Sequence, residues 1–151
     1  MKLPQFVLVL PDIRSCHNVG AMFRTADACG VEKIWLCGYT PVPPRPQIDK
    51  VALGAETWVP WEHADEAVVA VQTLQSQGYT IVALEKNSNS VAIGEVGVKG
   101  PVALIVGNEV TGVGPELLAL ADVVAHIPMY GRKESLNVSV AAGIAIYYIS
   151  S

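Results

Sequence analysis

Apolar residues fall along this chain in short continuous runs, not in alternation. FVLVL at 6–10, KIWLC at 33–37, TIVAL at 80–84, PVALIV at 101–106 and VVAHI at 123–127 are each five or six residues long. Runs of that length without a polar face read as strands buried on both sides, the kind found in parallel sheets. Between the first two, Val19, Met22, Phe23, Ala26 and Cys29 recur at i, i+3, i+4, i+7 and i+10, the stripe of an amphipathic helix. Asn18 is expected to cap its start, and Gly30 stands where a helix ends on a positive φ. Strand, helix and strand within about thirty residues make a βαβ unit.

The pattern then breaks and resumes. Four prolines fall between 41 and 46, and the stretch 39–60 is expected to be an irregular loop carrying Arg45 and Lys50, with one helical turn at 51–55. A second helix is expected at 62–77, with Ala67, Val68, Val71 and Leu74 inward and Gly78 at its end. Residues 91–99 read as a glycine-punctuated connection. After GNEVTGVG at 107–114, Pro115 opens another helix. Strands alternating with helices define an α/β fold, a mostly parallel sheet with helices on both faces.

The last segment, IPMYGRKESLNVSVAAG at 127–143, is the least ordinary. Pro128 ends strand pairing, and Gly131, Arg132, Lys133 and Glu134 form a polar loop. Ser135 reads as the N-cap of a helix at 136–149 that has almost no polar face. Such a helix must be buried or covered by another chain.

Composition narrows the function. The chain has 151 residues, enough for one domain with a sizeable core. Hydrophobic residues make up 51% and charged residues 16%, a richness that suggests further burial in an oligomer. The net charge of −4 excludes a strongly basic nucleic-acid binder, so any polyanion must meet a local basic patch. Three cysteines, Cys16, Cys29 and Cys37, lack paired spacing, which fits a reducing, cytoplasmic setting. The run at 138–149 is too short to span a bilayer.

Candidate chemistry sits at strand ends, where open α/β sheets bind ligands. The first loop leads into Asn18, Gly20 and Arg24, the second is Gly107, Asn108 and Glu109, and the third is 127–137 with Ser135 and Asn137. Each has a plain structural reading as well: a surface arginine, a turn, a helix cap. GNEVTGVG could be a phosphate loop before a helix, but it lacks the lysine of the P-loop, and no G-x-G-x-x-G occurs. A zinc site from Cys16, His17, Cys29 and Cys37 lacks C-x₂-C spacing. A serine nucleophile lacks the G-x-S-x-G elbow.

Taken together, NVGAMFRTADACGV at 18–31, ALIVGNEVTGV at 103–113 and IPMYGRKESLNVSVAAGIA at 127–145 resemble the signature regions of the SpoU/TrmH-type RNA 2′-O-ribose methyltransferases of the SPOUT class. The resemblance spans residues 6–149. It implies a C-terminal trefoil knot that binds S-adenosylmethionine largely through backbone groups, here those of Leu84, Gly107, Ile127, Met129, Ser135 and Leu136. It implies a polar catalytic set of Asn18, Arg24, Glu109, Ser135 and Asn137, and a homodimer with the active site near the interface. A catalytically silent RNA-binding dimer is the alternative; retention of Asn18, Arg24, Glu109 and Asn137 speaks against it.

The implied chemistry suits those residues and requires no metal. Transfer of a methyl group to a ribose 2′-hydroxyl needs that oxygen to become negative. A guanidinium hardly deprotonates in a protein, so Arg24 is better cast as a phosphate grip and electrostatic stabiliser than as a base. Family members often carry an extra RNA-binding domain or basic extensions; a single methyltransferase domain at 1–151 is expected here. RNA, whether tRNA or rRNA, would then meet Arg14, Arg24, Arg45, Lys50, Arg132 and Lys133, or a partner. Dimerisation is expected through the C-terminal helix, where Ala141, Ala142, Gly143 and Ala145 permit close approach, with the partner's first helix (Met22, Ala26) opposite.

Overall fold

The computed structural model describes residues 5–150. Seven strands form one sheet: β1 (Phe6–Pro11), β2 (Lys33–Cys37), β3 (Trp61–Ala64), β4 (Thr80–Leu84), β5 (Val91–Ala92), β6 (Val102–Ile105) and β7 (Val123–His126). Their order across the sheet is β3-β2-β1-β6-β4-β7-β5, and every pairing is parallel. All strand carboxyl ends therefore lie along one edge, and the loops that follow them line up there. The α/β expectation holds, with a sheet that is wholly parallel.

Alternate residues of the central strands feed two cores. Phe6, Leu8 and Leu10 pack with α1 (Cys16–Cys29), α2 (Pro46–Ala52) and α5 (Val138–Ser150) on one face. Val7 and Val9 pack with α3 (Ala67–Ser76) and α4 (Pro115–Leu120) on the other.

Several boundaries differ from the sequence expectation, each for a physical reason. The helix expected at 62–77 starts at Ala67, because WEHA at 61–64 pairs with β2 as an edge strand whose outer residues are exposed. The proline-rich stretch contains α2, since Pro46 occupies the first helical turn, where its missing N–H costs nothing. The single turn expected at 51–55 is divided between the end of α2 and a 3₁₀ turn at Ala55–Thr57. Within 91–99 lie β5 and a 3₁₀ turn, Ile93–Glu95.

Asn18 does not cap α1. Ser15 does, accepting the Asn18 backbone N–H on its hydroxyl at 3.1 Å, and the Asn18 side chain is committed elsewhere. Ser135 does not cap α5, which begins at Val138. Asn137 takes that role, its Oδ1 accepting from the Ser139 N–H at 2.9 Å and the Ser139 hydroxyl at 2.6 Å.

The pairing of α5 with a partner's first helix is also corrected. Met22, Ala26, Ala142, Ala145 and Ile146 are fully buried within this chain, where α1 and α5 pack on each other. A methyl group at Gly143 would already lie 3.4 Å from the Thr25 methyl. The exposed part of α5 is Val140, Tyr147 and Tyr148, so the helix does have a face its own chain leaves open.

Candidate active site

The three signature loops meet in one hydrogen-bonded network at the carboxyl edge of the sheet. Glu109, beyond β6, accepts the Arg14 N–H on Oε1 at 2.9 Å and the Ser15 N–H on Oε2 at 2.9 Å. A carboxylate there satisfies donors that the start of α1 leaves free and sits at the positive end of the helix dipole. The Asn18 amide donates to Glu109 Oε2 at 3.0 Å, and its Oδ1 accepts from the Asn137 amide at 3.1 Å. Asn18 is buried and spans the gap between the second and third loops.

Burial pushes the Glu109 carboxyl up. The bonds from the Arg14 N–H, the Asn18 amide, its own N–H and the Ser15 N–H outweigh that and hold it below its ordinary range. Glu109, exposed at the edge of the network, accepts three bonds on its two oxygens and so orients its partners.

Beside this network lies a cavity of about 890 Å³. Its lining brings together Leu84, Gly107, Glu109, Ile127, Met129, Ser135, Leu136 and Asn137. Close packing shapes one wall: a Cβ on Gly107 would sit 2.7 Å from the Gly112 backbone, and Asn108 and Gly112 form a bridge with N–H···O distances of 3.1 and 3.0 Å. Asn18 reaches the cavity's edge only through its bonds to Glu109 and Asn137, and Arg24 is not in the lining. Arg24 stands exposed on α1 with no side-chain partner among the described residues. Arg14, Arg45, Lys50, Arg132 and Lys133 are exposed too, on segments that follow β1, β2 and β7, with Lys50 in the last turn of α2.

The backbone of 129–136 makes no intramolecular hydrogen bond among the described residues. Backbone groups of that kind require water or a ligand. A ligand read mainly through main-chain donors and acceptors fits this wall.

Sequence reasoning missed Glu85 and His126 here and gave Asn108, though it lay in the second loop, no role. Glu85 accepts the Val113 N–H at 3.0 Å and props up the Gly107–Gly114 loop; a lone acid ending an apolar strand was its signal. Asn108 donates to the Asp12 carbonyl at 2.7 Å and the Tyr39 hydroxyl at 2.9 Å, pinning the same loop to the ends of β1 and β2. His126 lines the cavity one residue before Ile127. Cys37 is fully buried, and burial and the nearby Asp12 charge push its thiol up to about 12, so it stays protonated and is a poor zinc ligand. Among the described residues no three His, Cys, Asp or Glu side chains gather in a way that could hold a metal, and no helix is long and apolar enough to cross a membrane.

A parallel α/β sheet with an open cavity at its carboxyl edge, walled in part by a C-terminal loop with free backbone groups, is the arrangement of an α/β ligand-binding protein. The chain belongs to the SpoU rRNA methylase family, whose model matches residues 5–147. It is 37% identical over 142 residues to the tRNA (guanosine(18)-2′-O)-methyltransferase of Aquifex aeolicus, covering 93% of this chain and 66% of that one. It is 33% identical over 146 residues to the 23S rRNA (guanosine-2′-O-)-methyltransferase RlmB of Coxiella burnetii, covering 97% of this chain and 58% of that one. The AdoMet-bound rRNA methyltransferase from Sinorhizobium meliloti superposes with a TM-score of 0.90 at 29% identity, over 99% of this chain and 57% of that chain. The chain thus spans about two thirds or less of the length of these relatives.

Proposed function

We propose that the protein is an S-adenosylmethionine-dependent RNA methyltransferase acting on a ribose 2′-hydroxyl of tRNA or rRNA, and that its C-terminal segment carries the family's knot. The observation that carries this reading is the convergence of Glu109, Asn18 and Asn137, from three separate loops, on one network beside the backbone-rich cavity. The relatives named above include enzymes for both RNA classes.

Bound in the cavity, the sulfonium cofactor would supply an electrophilic methyl group. The protein's part is orientation and charge. Leu84, Gly107, Ile127, Met129, Ser135 and Leu136 hold the cofactor, chiefly through main-chain groups. Glu109 fixes the start of α1 and the Asn18 amide, and Asn18 fixes Asn137. Ser135 and Asn137, at the cavity mouth, orient the ribose. Arg24 grips the adjacent phosphate and stabilises negative charge developing on the 2′-oxygen, since a guanidinium keeps its proton. Arg14, Arg45, Lys50, Arg132 and Lys133 supply phosphate contacts that offset the net charge of −4. No metal is needed for any of these roles.

We also propose a homodimer through the exposed stripe of α5, which would pool the basic side chains of two subunits. The test is methyl transfer from labelled S-adenosylmethionine to total tRNA and rRNA with the metal chelated, followed by mapping of the methylated ribose. Absence of label in both RNA pools sinks the proposal.

A further inference from the structure

The loop 107–114 after β6 separates two cavities, and Asn108, Thr111 and Gly112 line both. The larger one, which the cofactor would fill, extends toward the ends of β4 and β7. The second, of about 590 Å³, extends the other way, over the ends of β1 and β2 and the first turns of α3 and α4. Asp12, Tyr39, Val68, Asn108 and Leu117 are among its lining residues. Neither cofactor nor catalytic network occupies it.

Tyr39 is the unusual member. It is 61% exposed, yet it is tied at both ends. Its backbone N–H donates to Asp12 Oδ1 at 3.0 Å, and its hydroxyl accepts from the Asn108 amide at 2.9 Å. Asn108 is itself held fast: the same amide nitrogen donates to the Asp12 carbonyl at 2.7 Å, and its Oδ1 accepts the Val110 and Thr111 N–H groups at 2.8 and 3.0 Å. Both ties lead into the catalytic network. Asn108 precedes Glu109, and Asp12 stands two residues before Arg14, whose N–H donates to Glu109 Oε1. An aromatic ring fixed in one direction with most of its surface bare is a ready platform, because little rotamer freedom is left to lose on binding.

Charge decides which part of an RNA that platform can meet. The lining contains acidic side chains, Glu116 among them, and no lysine or arginine, so a phosphate is repelled there. A nucleobase is uncharged, offers a flat face to an aromatic ring and carries N–H donors along its edge that carboxylates accept. Arg14 and Arg45, exposed and outside this lining, remain for the phosphates. An enzyme that reaches one ribose in a stacked strand draws its nucleotide out, and the freed base then needs a new stacking partner.

Resting on the methyltransferase reading, we propose that the second cavity receives an unstacked nucleobase of the RNA substrate, its face on the Tyr39 ring and its N–H edge toward the acidic rim. The cofactor then lies on one side of the 107–114 loop and the base on the other, with Glu109 at the divide. Tyr39 is an RNA-binding residue in this arrangement, and Asn108 positions its ring.

Single-turnover methyl transfer to total tRNA or total rRNA, whichever pool wild type labels, is followed against RNA concentration for wild type, Tyr39→Leu, Tyr39→Phe and Tyr39→Trp. Calorimetry with S-adenosylhomocysteine and thermal unfolding are run on the same proteins. Tyr39→Leu should need about tenfold more RNA or higher for half the maximal rate, the scale on which one base–aromatic stack contributes to binding. Its rate at saturating RNA should change less, because stacking holds the base in the bound and reacting states alike. Tyr39→Phe should keep the larger part of the RNA affinity, since the ring remains. S-adenosylhomocysteine affinity should stay unchanged throughout, because Tyr39 does not line the first cavity. If Tyr39→Leu proves unfolded, Tyr39→Trp decides: its larger ring should bind RNA at least as well as wild type, and a tenfold loss overturns the proposal. An unaltered RNA dependence in folded Tyr39→Leu overturns it too. So does an equal loss in Tyr39→Phe and Tyr39→Leu, or a loss of S-adenosylhomocysteine binding, since either makes Tyr39 a mere brace for Asn108. A wild type that methylates neither RNA pool overturns the methyltransferase reading beneath it.

Discussion

Asn18 and Asn137 lie 119 residues apart in sequence, yet the Asn137 amide donates to Asn18 Oδ1 at 3.1 Å. Asn18 in turn donates to Glu109, 91 residues away. One buried amide thus joins the start of α1, the loop after β6 and the cap of α5. Its replacement leaves a carboxylate and an amide short of partners at once. Asn18→Ala should destabilise the fold by about 1–3 kcal/mol, the range for a buried polar group left unsatisfied. Asn137→Ala removes one of the same bonds, so the double variant should lose less than the two single losses combined. Chemical denaturation of the four proteins measures this; strict additivity would show that the bond between the two asparagines contributes nothing.

Glu109 makes the network sensitive to acid. Its carboxyl is held below its ordinary range in the folded protein, so folding favours the ionised form. The corresponding stability is fully present above the unfolded value, about 4.3, and is lost as pH falls through the lower folded value. Glu109→Gln should therefore be less stable than wild type at neutral pH and approach it under acid. Parallel urea titrations from neutral pH to about pH 3 test the sign; a gap that stays constant or widens on acidification contradicts it.

How much of this was legible beforehand differs from element to element. The strands at 6–10, 33–37 and 80–84 were legible because both faces of a parallel strand are buried, which leaves an unbroken apolar run. WEHA at 61–64 was not, since an edge strand with exposed Glu62 and His63 carries no such run, and its residues merge into the helical pattern that follows. Pro46 ends a proline-rich run that reads as irregular, although the same ring favours a first helical turn. At the site, the residue types of the three loops could be read, and so could their shared edge. Their pairings could not: nothing local shows that Glu109 reaches back to the Arg14 and Ser15 N–H groups, or that Asn18 gives up its cap to Ser15. Long-range hydrogen bonds leave no periodicity.

Arg24 separates chemistry from binding. It stands outside the cavity, so Arg24→Ala should leave S-adenosylmethionine affinity almost unchanged. Methyl transfer should fall by about 10²–10³, the usual loss for one donor to a developing oxyanion. Arg24→Lys should recover only part, because an ammonium cannot grip a phosphate with two parallel bonds. Single-turnover assays on the native RNA, with calorimetry alongside, decide it. Wild-type turnover in Arg24→Ala would remove the residue from the mechanism.

Gly107 tests the cavity wall. A methyl group there would meet the Gly112 carbonyl carbon at 2.7 Å and the Val113 nitrogen at 2.8 Å, both backbone atoms that cannot swing aside. Gly107→Ala should open the Asn108–Gly112 bridge, cost about 1–3 kcal/mol of stability as overpacking does, and abolish cofactor binding. Unaltered calorimetry for Gly107→Ala would mean that the cofactor does not use this loop.

The last expectation concerns assembly, and it turns on which side of α5 is free. Ala142, Ala145 and Ile146 are fully buried against α1 and the sheet, so Ala142→Glu should unfold the chain and says nothing about a partner. Val140, half-buried Ile144 and Tyr147 fall at i, i+4 and i+7, one stripe of the helix, and Val140 and Tyr147 are 50% and 72% exposed. A valine and a tyrosine on one stripe, beside a chain that is 51% hydrophobic, fit a surface that a second copy covers. A two-fold arrangement would place the same stripe on itself. Val140→Glu would then set like charges opposite each other at the axis. Sedimentation at micromolar concentration should show two chains for wild type and one folded chain for Val140→Glu and Tyr147→Glu, with circular dichroism confirming that the fold persists. A wild type that sediments as a single chain would refute the dimer, because an obligate apolar interface does not dissociate at that concentration.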